Sequence, residues 1–211
     1  MEKSKALDQF YTNPLLAERF VNVINNFINL KSFDNVIEPS AGTGAILDFL
    51  PESNRIGLDL DPKREDILEG DFFDYKFPSG NNAVVGNPPF GKQSKLAVEF
   101  FNKCAQYSEL IAFIIPRSWM KFRIQNQLNK DFGLYYSAVL PDAAFIYNDK
   151  AHKVRCCAQI WMKRDLAATL PEVMIDDQLQ SWNDLVTQET LTKLHNYQLK
   201  NNCYERLETL F

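Results

Sequence analysis

Apolar residues along this chain fall in two alternating patterns. Short, nearly continuous runs of strand length occur at Val36–Ile37, Arg55–Leu58, Ala83–Gly86, Ile111–Ile115, Tyr135–Leu140 and Arg155–Trp161. Between them, apolar positions recur at helical spacing over Leu15–Leu30, Ala45–Leu50, Lys95–Tyr107 and Arg123–Lys130. Strands alternating with helices predict an α/β fold, a doubly wound and mostly parallel sheet covered on both faces. The last two strands lie close together, joined by a loop holding Tyr147-Asn148-Asp149-Lys150, and read as an antiparallel pair closing the sheet. Residues 166–211 differ: they are acidic, with Leu179, Trp182, Leu185, Val186 and Leu194 near helical spacing. The expected division is therefore a domain over 1–165 and a helical extension over 166–211 packed on it.

Length and composition agree with one domain plus a small appendage, since 211 residues at 45% hydrophobic content can bury a substantial core. No stretch approaches the roughly 20 apolar residues that span a bilayer. The N-terminus carries no basic-then-apolar leader, so a cytoplasmic, nucleoid or nuclear location is expected. The four cysteines include the adjacent pair Cys156-Cys157, whose side chains point to opposite faces of a strand, and no C-x-x-C spacing occurs. His152 and His195 are isolated. Reduced thiols and no metal are expected.

The most specific chemistry lies in Gly86-Asn87-Pro88-Pro89-Phe90-Gly91, directly after the strand Ala83–Gly86. Two prolines fix φ and remove two donors, leaving a stiff loop of carbonyls. Asn87 adds a side-chain acceptor and Phe90 an aromatic face. Two acceptors and a ring suit a planar exocyclic amine, whose lone pair is delocalised and must be freed. Holding both N–H groups on the Asn87 oxygen and the Pro88 carbonyl favours the reactive tetrahedral form without a charged base.

Upstream stations give this loop a context. Val36–Ile37 leads into Glu38-Pro39-Ser40-Ala41-Gly42-Thr43-Gly44, a glycine turn that brings backbone N–H groups near a ligand. It is not the dinucleotide fingerprint, because the third glycine position falls at Leu47, and no G-x-x-x-x-G-K-[ST] loop occurs. The second strand runs into carboxylates at Asp59 and Asp61, and one at the strand tip, Asp59, is placed to accept from ribose hydroxyls. A third strand end, Leu68-Glu69-Gly70-Asp71-Phe72-Phe73, offers an acceptor and an apolar wall. Ahead of all these stands Asp8-Gln9-Phe10-Tyr11-Thr12-Asn13-Pro14, where Thr12 or Asn13 also reads as the cap of a helix opened by Pro14.

From about Leu7 to Pro116 this ordered set resembles the S-adenosylmethionine-dependent methyltransferases of the amino-methylating type, specifically the N6-adenine methyltransferases. The resemblance implies a Rossmann-like fold with S-adenosylmethionine as cofactor and S-adenosylhomocysteine as product. It places Phe10 and Thr12 beside the methionine moiety and Glu38, Ala41, Gly42 and Gly44 at its amino-acid end. It assigns Asp59 to the ribose, and Asp71 and Phe72 to the cofactor's adenine. Asn87, Pro88, Pro89 and Phe90 would hold the target amine and base. The departure from the family pattern is Asn13, inserted between Thr12 and Pro14.

Charge refines the substrate class. The chain carries a net −4, which alone argues against a polyanionic partner. Yet Lys92 to Arg155 holds ten Lys or Arg against five Asp or Glu. Positive charge is thus concentrated after the catalytic loop. Within it, Arg117, Trp119, Lys121 and Arg123 interleave basic and aromatic side chains, and with Lys92 they are candidate contacts to an unpaired or flipped nucleic-acid base; the alternative is a solvated loop whose Trp119 and Phe122 cover the sheet edge. The expected function is N6-adenine methylation of DNA or RNA. Alternatives are a methyltransferase of guanine N2 or of a glutamine amide, or a cofactor-binding subunit of a larger enzyme. Only some fifty residues follow Trp161, too few for a large recognition domain, so the chain is expected either to recognise little sequence, to rely on a partner subunit for target recognition, or to act on a structured or single-stranded RNA.

Overall fold

The computed structural model describes residues 11–140, 145–147, 150–152 and 154–169. Phe10 and residues 170–211, including nearly all of the expected C-terminal extension, lie outside them. The chain opens with strand β1 (Tyr11–Thr12) and helix α1 (Pro14–Phe27). Asn13 caps α1 by accepting from the Leu15 N–H at 3.0 Å, and Pro14 occupies the first turn, where its missing donor costs nothing. Strands β2 (Asn35–Glu38), β3 (Arg55–Asp59), β4 (Ile67–Glu69) and β5 (Asn82–Gly86) follow. Then come α2 (Lys95–Cys104), β6 (Leu110–Pro116), the short α3 (Phe122–Gln125) and β7 (Phe132–Val139). The described chain ends with β8 (Phe145–Tyr147), β9 (Lys150–His152), β10 (Cys156–Lys163) and α4 (Arg164–Ala167).

Seven strands form one sheet in the order β4-β3-β2-β5-β6-β10-β7. Pairings among β4, β3, β2, β5 and β6 are parallel, whereas β10 is antiparallel to both β6 and β7. The expected antiparallel pair is therefore present, with the last strand inserted between β6 and β7 rather than set at the edge. Burial on both faces explains the continuous apolar runs. Leu110, Ala112 and Ile114 of β6 join the core layer beneath α1, while Ile111, Phe113 and Ile115 join the layer beneath α2. Cys156 and Cys157 divide between the layers in the same way, and burial pushes both thiols up to about 12.

Two helix expectations need correction. Ala45–Leu50 forms only a 3-10 turn at Leu47–Phe49. Pro51 forces Leu50 into an extended conformation, and the few residues left after the glycine turn cannot nucleate an α-helix. Arg123–Lys130 shrinks to α3. A second, three-stranded sheet, β1-β8-β9, had no counterpart in the sequence reading.

Candidate active site

The chain leaves β2 toward β3 and β4, then returns to β5 on the other side of β2. This switch point is where open α/β sheets hold ligands, beyond the carboxyl ends of their strands. A cavity of about 440 Å³ lies there, lined by the segments that follow β2, β3, β4 and β5. Four of the stations read from the sequence therefore share one wall system: Glu38–Gly42, Asp59, Asp71–Phe72 and Asn87–Phe90. Thr12 also lines it, so the N-terminal segment reaches the same site.

Glu38 ends β2 and is 2% exposed. Its carboxylate accepts from the Leu47 N–H, while its buried Oε2 has no hydrogen-bond partner within the protein. Burial holds this carboxyl well above the usual carboxylate range, and the nearby Asp59 and Asp48 add to the effect. Asp59 at the tip of β3 accepts from Gly42 N–H at 2.7 Å and from Asp61 N–H at 2.9 Å. It thereby stitches the glycine turn to the neighbouring strand as well as lining the cavity. Gly42 and Gly44 have φ of 51° and 80°. Gly42 lines the cavity, as do Thr43 and Ala45 on either side of Gly44. A Cβ at Gly44 would collide with the Arg64 guanidinium, which Asp48 and Asp66 hold in place.

On the β4 side, Phe72 stacks on Phe100 with centroids 4.3 Å apart and planes 21° apart. Asp71 accepts from the Phe73 N–H at 2.8 Å, which fixes the turn carrying both rings. Lys103 of α2 donates to the carbonyls of Phe72 and Phe73, each at 2.6 Å, and lies 5.0 Å from the Phe72 centroid. On the β5 side, Asn87 donates from Nδ2 to Thr12 Oγ1 at 3.3 Å, and its carbonyl accepts from Ser40 Oγ at 3.0 Å. Pro88 is buried, and Asn87, Pro89 and Phe90 are half-buried at the cavity wall.

The expected substrate contacts divide. Lys92, Lys121 and Arg123 are exposed. Trp119 is fully buried and packs edge-on to Phe101 at 5.9 Å, so it is a core residue and not a stacking surface. Arg117 donates to the carbonyls of Leu140 at 2.9 Å and Cys156 at 3.3 Å, tying β7 and β10 to the end of β6. Ser40, Phe100 and Lys103 were missed by the sequence reading. Ser40 lay within the quoted glycine segment, whereas nothing local marks Phe100 or Lys103. Among the described residues no group of three or more His, Cys, Asp or Glu forms a metal-ligating cluster, and no helix is long and apolar enough to cross a membrane.

No protein-family model and no curated protein sequence matches the chain. Solved structures do. A proposed RNA methyltransferase of Pyrococcus horikoshii is similar at 16% identity and TM-score 0.59, over 77% of this chain and 90% of that one. A proposed class I S-adenosylmethionine-dependent methyltransferase of Listeria monocytogenes is similar at 12% identity and TM-score 0.60, over 93% and 73%. The M protein of the type I restriction enzyme EcoKI is similar at 18% identity and TM-score 0.55, over 76% of this chain and 45% of that one. The chain has the Rossmann-like fold of these methyltransferases: a mostly parallel seven-stranded sheet with an antiparallel strand near its end.

Proposed function

We propose that this protein is an S-adenosylmethionine-dependent methyltransferase acting on the N6 amine of adenine in nucleic acid. The observation carrying this reading is that the Asn87-Pro88-Pro89-Phe90 loop shares one cavity with Glu38, Asp59, Asp71 and Phe72. The residues fit the cofactor. The buried Glu38 Oε2 is a matching acceptor for an ammonium group, Asp59 offers a carboxylate that ribose hydroxyls could donate to, and Phe72 with Asp71 offers a ring face and an acceptor for an adenine. When bound, S-adenosylmethionine supplies an electrophilic methyl group and leaves as S-adenosylhomocysteine.

The chain's own residues prepare the nucleophile. The Asn87 oxygen and the Pro88 carbonyl accept the two N–H groups of the target amine, which draws its lone pair out of the ring. The Ser40 hydroxyl holds the Asn87 carbonyl and Thr12 holds its amide, so the loop is set before substrate arrives. Phe90 covers the base. The amine nitrogen would take the methyl group that the cofactor supplies, and the proton it then sheds would pass from the Asn87 and Pro88 oxygens to water. A base inside a duplex cannot reach such a cavity, so the target is unpaired or flipped. Charge supports nucleic acid over a glutamine amide, because the positive charge is concentrated after the loop. A partner subunit for target selection and a cytoplasmic or nucleoid location belong to the same reading.

Asn87→Ala tests it. Methyl transfer should fall by about 10²–10³-fold, as when one preorganised polar contact to a reacting group is removed, while affinity for S-adenosylhomocysteine stays unchanged. Turnover near the wild-type value would refute the amine-holding role.

A further inference from the structure

Beyond the cavity, the segment after β6 has an unusual surface. Phe122 is 78% exposed and Met120 47% exposed, and exposed Lys121 and Arg123 flank Phe122. The preceding Trp119 is turned fully inward, so the same short stretch buries one large aromatic and displays another. This ledge is anchored: Gln125 Nε2 donates to the Trp119 carbonyl at 3.0 Å, and Arg117 grips the ends of β7 and β10. It also adjoins the cavity. The Ser118 and Ser94 hydroxyls lie 3.2 Å apart, and Ser94 N–H donates at 3.3 Å to the carbonyl of Gly91, a cavity-lining residue.

The link itself is held in a demanding conformation. Gln93 and Ser94 both have positive φ, 57° and 62°, and such strain persists where the surroundings fix it, frequently at binding sites. Among the described residues, Lys92, Lys121 and Arg123 form no ion pair, and Lys95 has a single exposed 3.7 Å contact with Glu99. Unpaired cations at Lys121 and Arg123 on either side of an exposed aromatic ring, with Lys92 on the loop joined to the ledge through Ser94 and Ser118, complement a polyanion that carries flat bases.

We propose that Phe122 is a stacking platform for an unpaired nucleic-acid strand, with Lys92, Lys121 and Arg123 on its phosphates, so that the strand delivers its target base to the adjoining cavity. This inference rests on the nucleic-acid reading above and adds the surface that holds the strand. Trp119 does not take part.

Fluorescence anisotropy of a labelled, adenine-containing single-stranded oligonucleotide tests it, using the full chain saturated with S-adenosylhomocysteine. Phe122→Ala should weaken binding roughly 5- to 150-fold at every salt concentration, and Phe122→Trp should restore it. The double change Lys121→Ala and Arg123→Ala should reduce the slope of log affinity against log salt by about 1.4. Affinity for S-adenosylhomocysteine should be the same in all variants. Wild-type binding that Phe122→Ala leaves intact would overturn the platform while sparing the nucleic-acid reading. A stronger preference for duplex would overturn the unpaired strand. If the wild type binds no nucleic acid, the substrate reading fails first, and loss of a protein substrate on the same changes would assign the ledge to a polypeptide.

Discussion

Replacing Glu38 by Gln keeps the shape of the side chain and removes its charge, so any change isolates the effect of that charge. In the folded protein Glu38 is buried at the end of β2, with one oxygen facing no donor. Desolvation raises its pKa above the unfolded value of about 4.3. The folded state then holds the proton more tightly, so stability falls as pH rises from the unfolded value through the folded one. Glu38→Gln lacks that loss and should be at least as stable as wild type at neutral pH, with the difference vanishing in acid. The proposed cofactor reverses the preference. Its ammonium favours the ionised carboxylate, so binding should release protons and tighten as pH rises toward the folded pKa. A hydrogen bond to a charged group contributes about 1.5–3 kcal/mol, so Glu38→Gln should weaken S-adenosylhomocysteine binding roughly 10- to 150-fold. Calorimetric titration in two buffers of different ionisation enthalpy reads both affinity and proton release. Unchanged affinity together with unchanged proton release would refute the assignment of Glu38 to the ammonium.

Two further changes probe the walls of the site. Lys103→Met removes the donor that grips the Phe72 and Phe73 carbonyls. Discounted for partial exposure, this should raise the KM for cofactor by about tenfold with kcat unchanged, and a fall in kcat at constant KM would contradict a positioning role. Trp119→Ala should cost about 3–5 kcal/mol of stability, because it opens a cavity in the core. Thermal unfolding should then shift down by on the order of 10 °C, whereas an unchanged Tm with lost nucleic-acid binding would restore Trp119 to the surface role the sequence suggested.

Much of this architecture is visible in the chain before folding is considered. Leu110–Ile115 reads as a central strand because both its faces are covered, and the pairing of Ile111 with Val84 and with Trp161 shows why no polar position interrupts it. The cavity's stations were legible for a related reason: in a parallel sheet, residues that follow successive strands all emerge at one end. Other features leave no local trace. Tyr11 and Thr12 pair with residues 146 and 145 across nearly the whole described chain. The apolar spacing of Ile46, Leu47, Phe49 and Leu50 imitates a helix, but Pro51 stops it. Trp119 and Phe122 are both aromatic residues beside basic ones. Only the 3-10 turn at Arg117–Met120 decides which ring points inward. Gly44 matched the expected turn, yet the close approach it permits is to Arg64.

The most direct test of the account is transfer of a labelled methyl group from S-adenosylmethionine to separate pools of duplex DNA, single-stranded DNA and RNA, followed by digestion to nucleosides. The account predicts label in N6-methyladenine from an unpaired or structured substrate, and none when Asn87 is Ala. Label in guanine, or in none of the three pools, would contradict it.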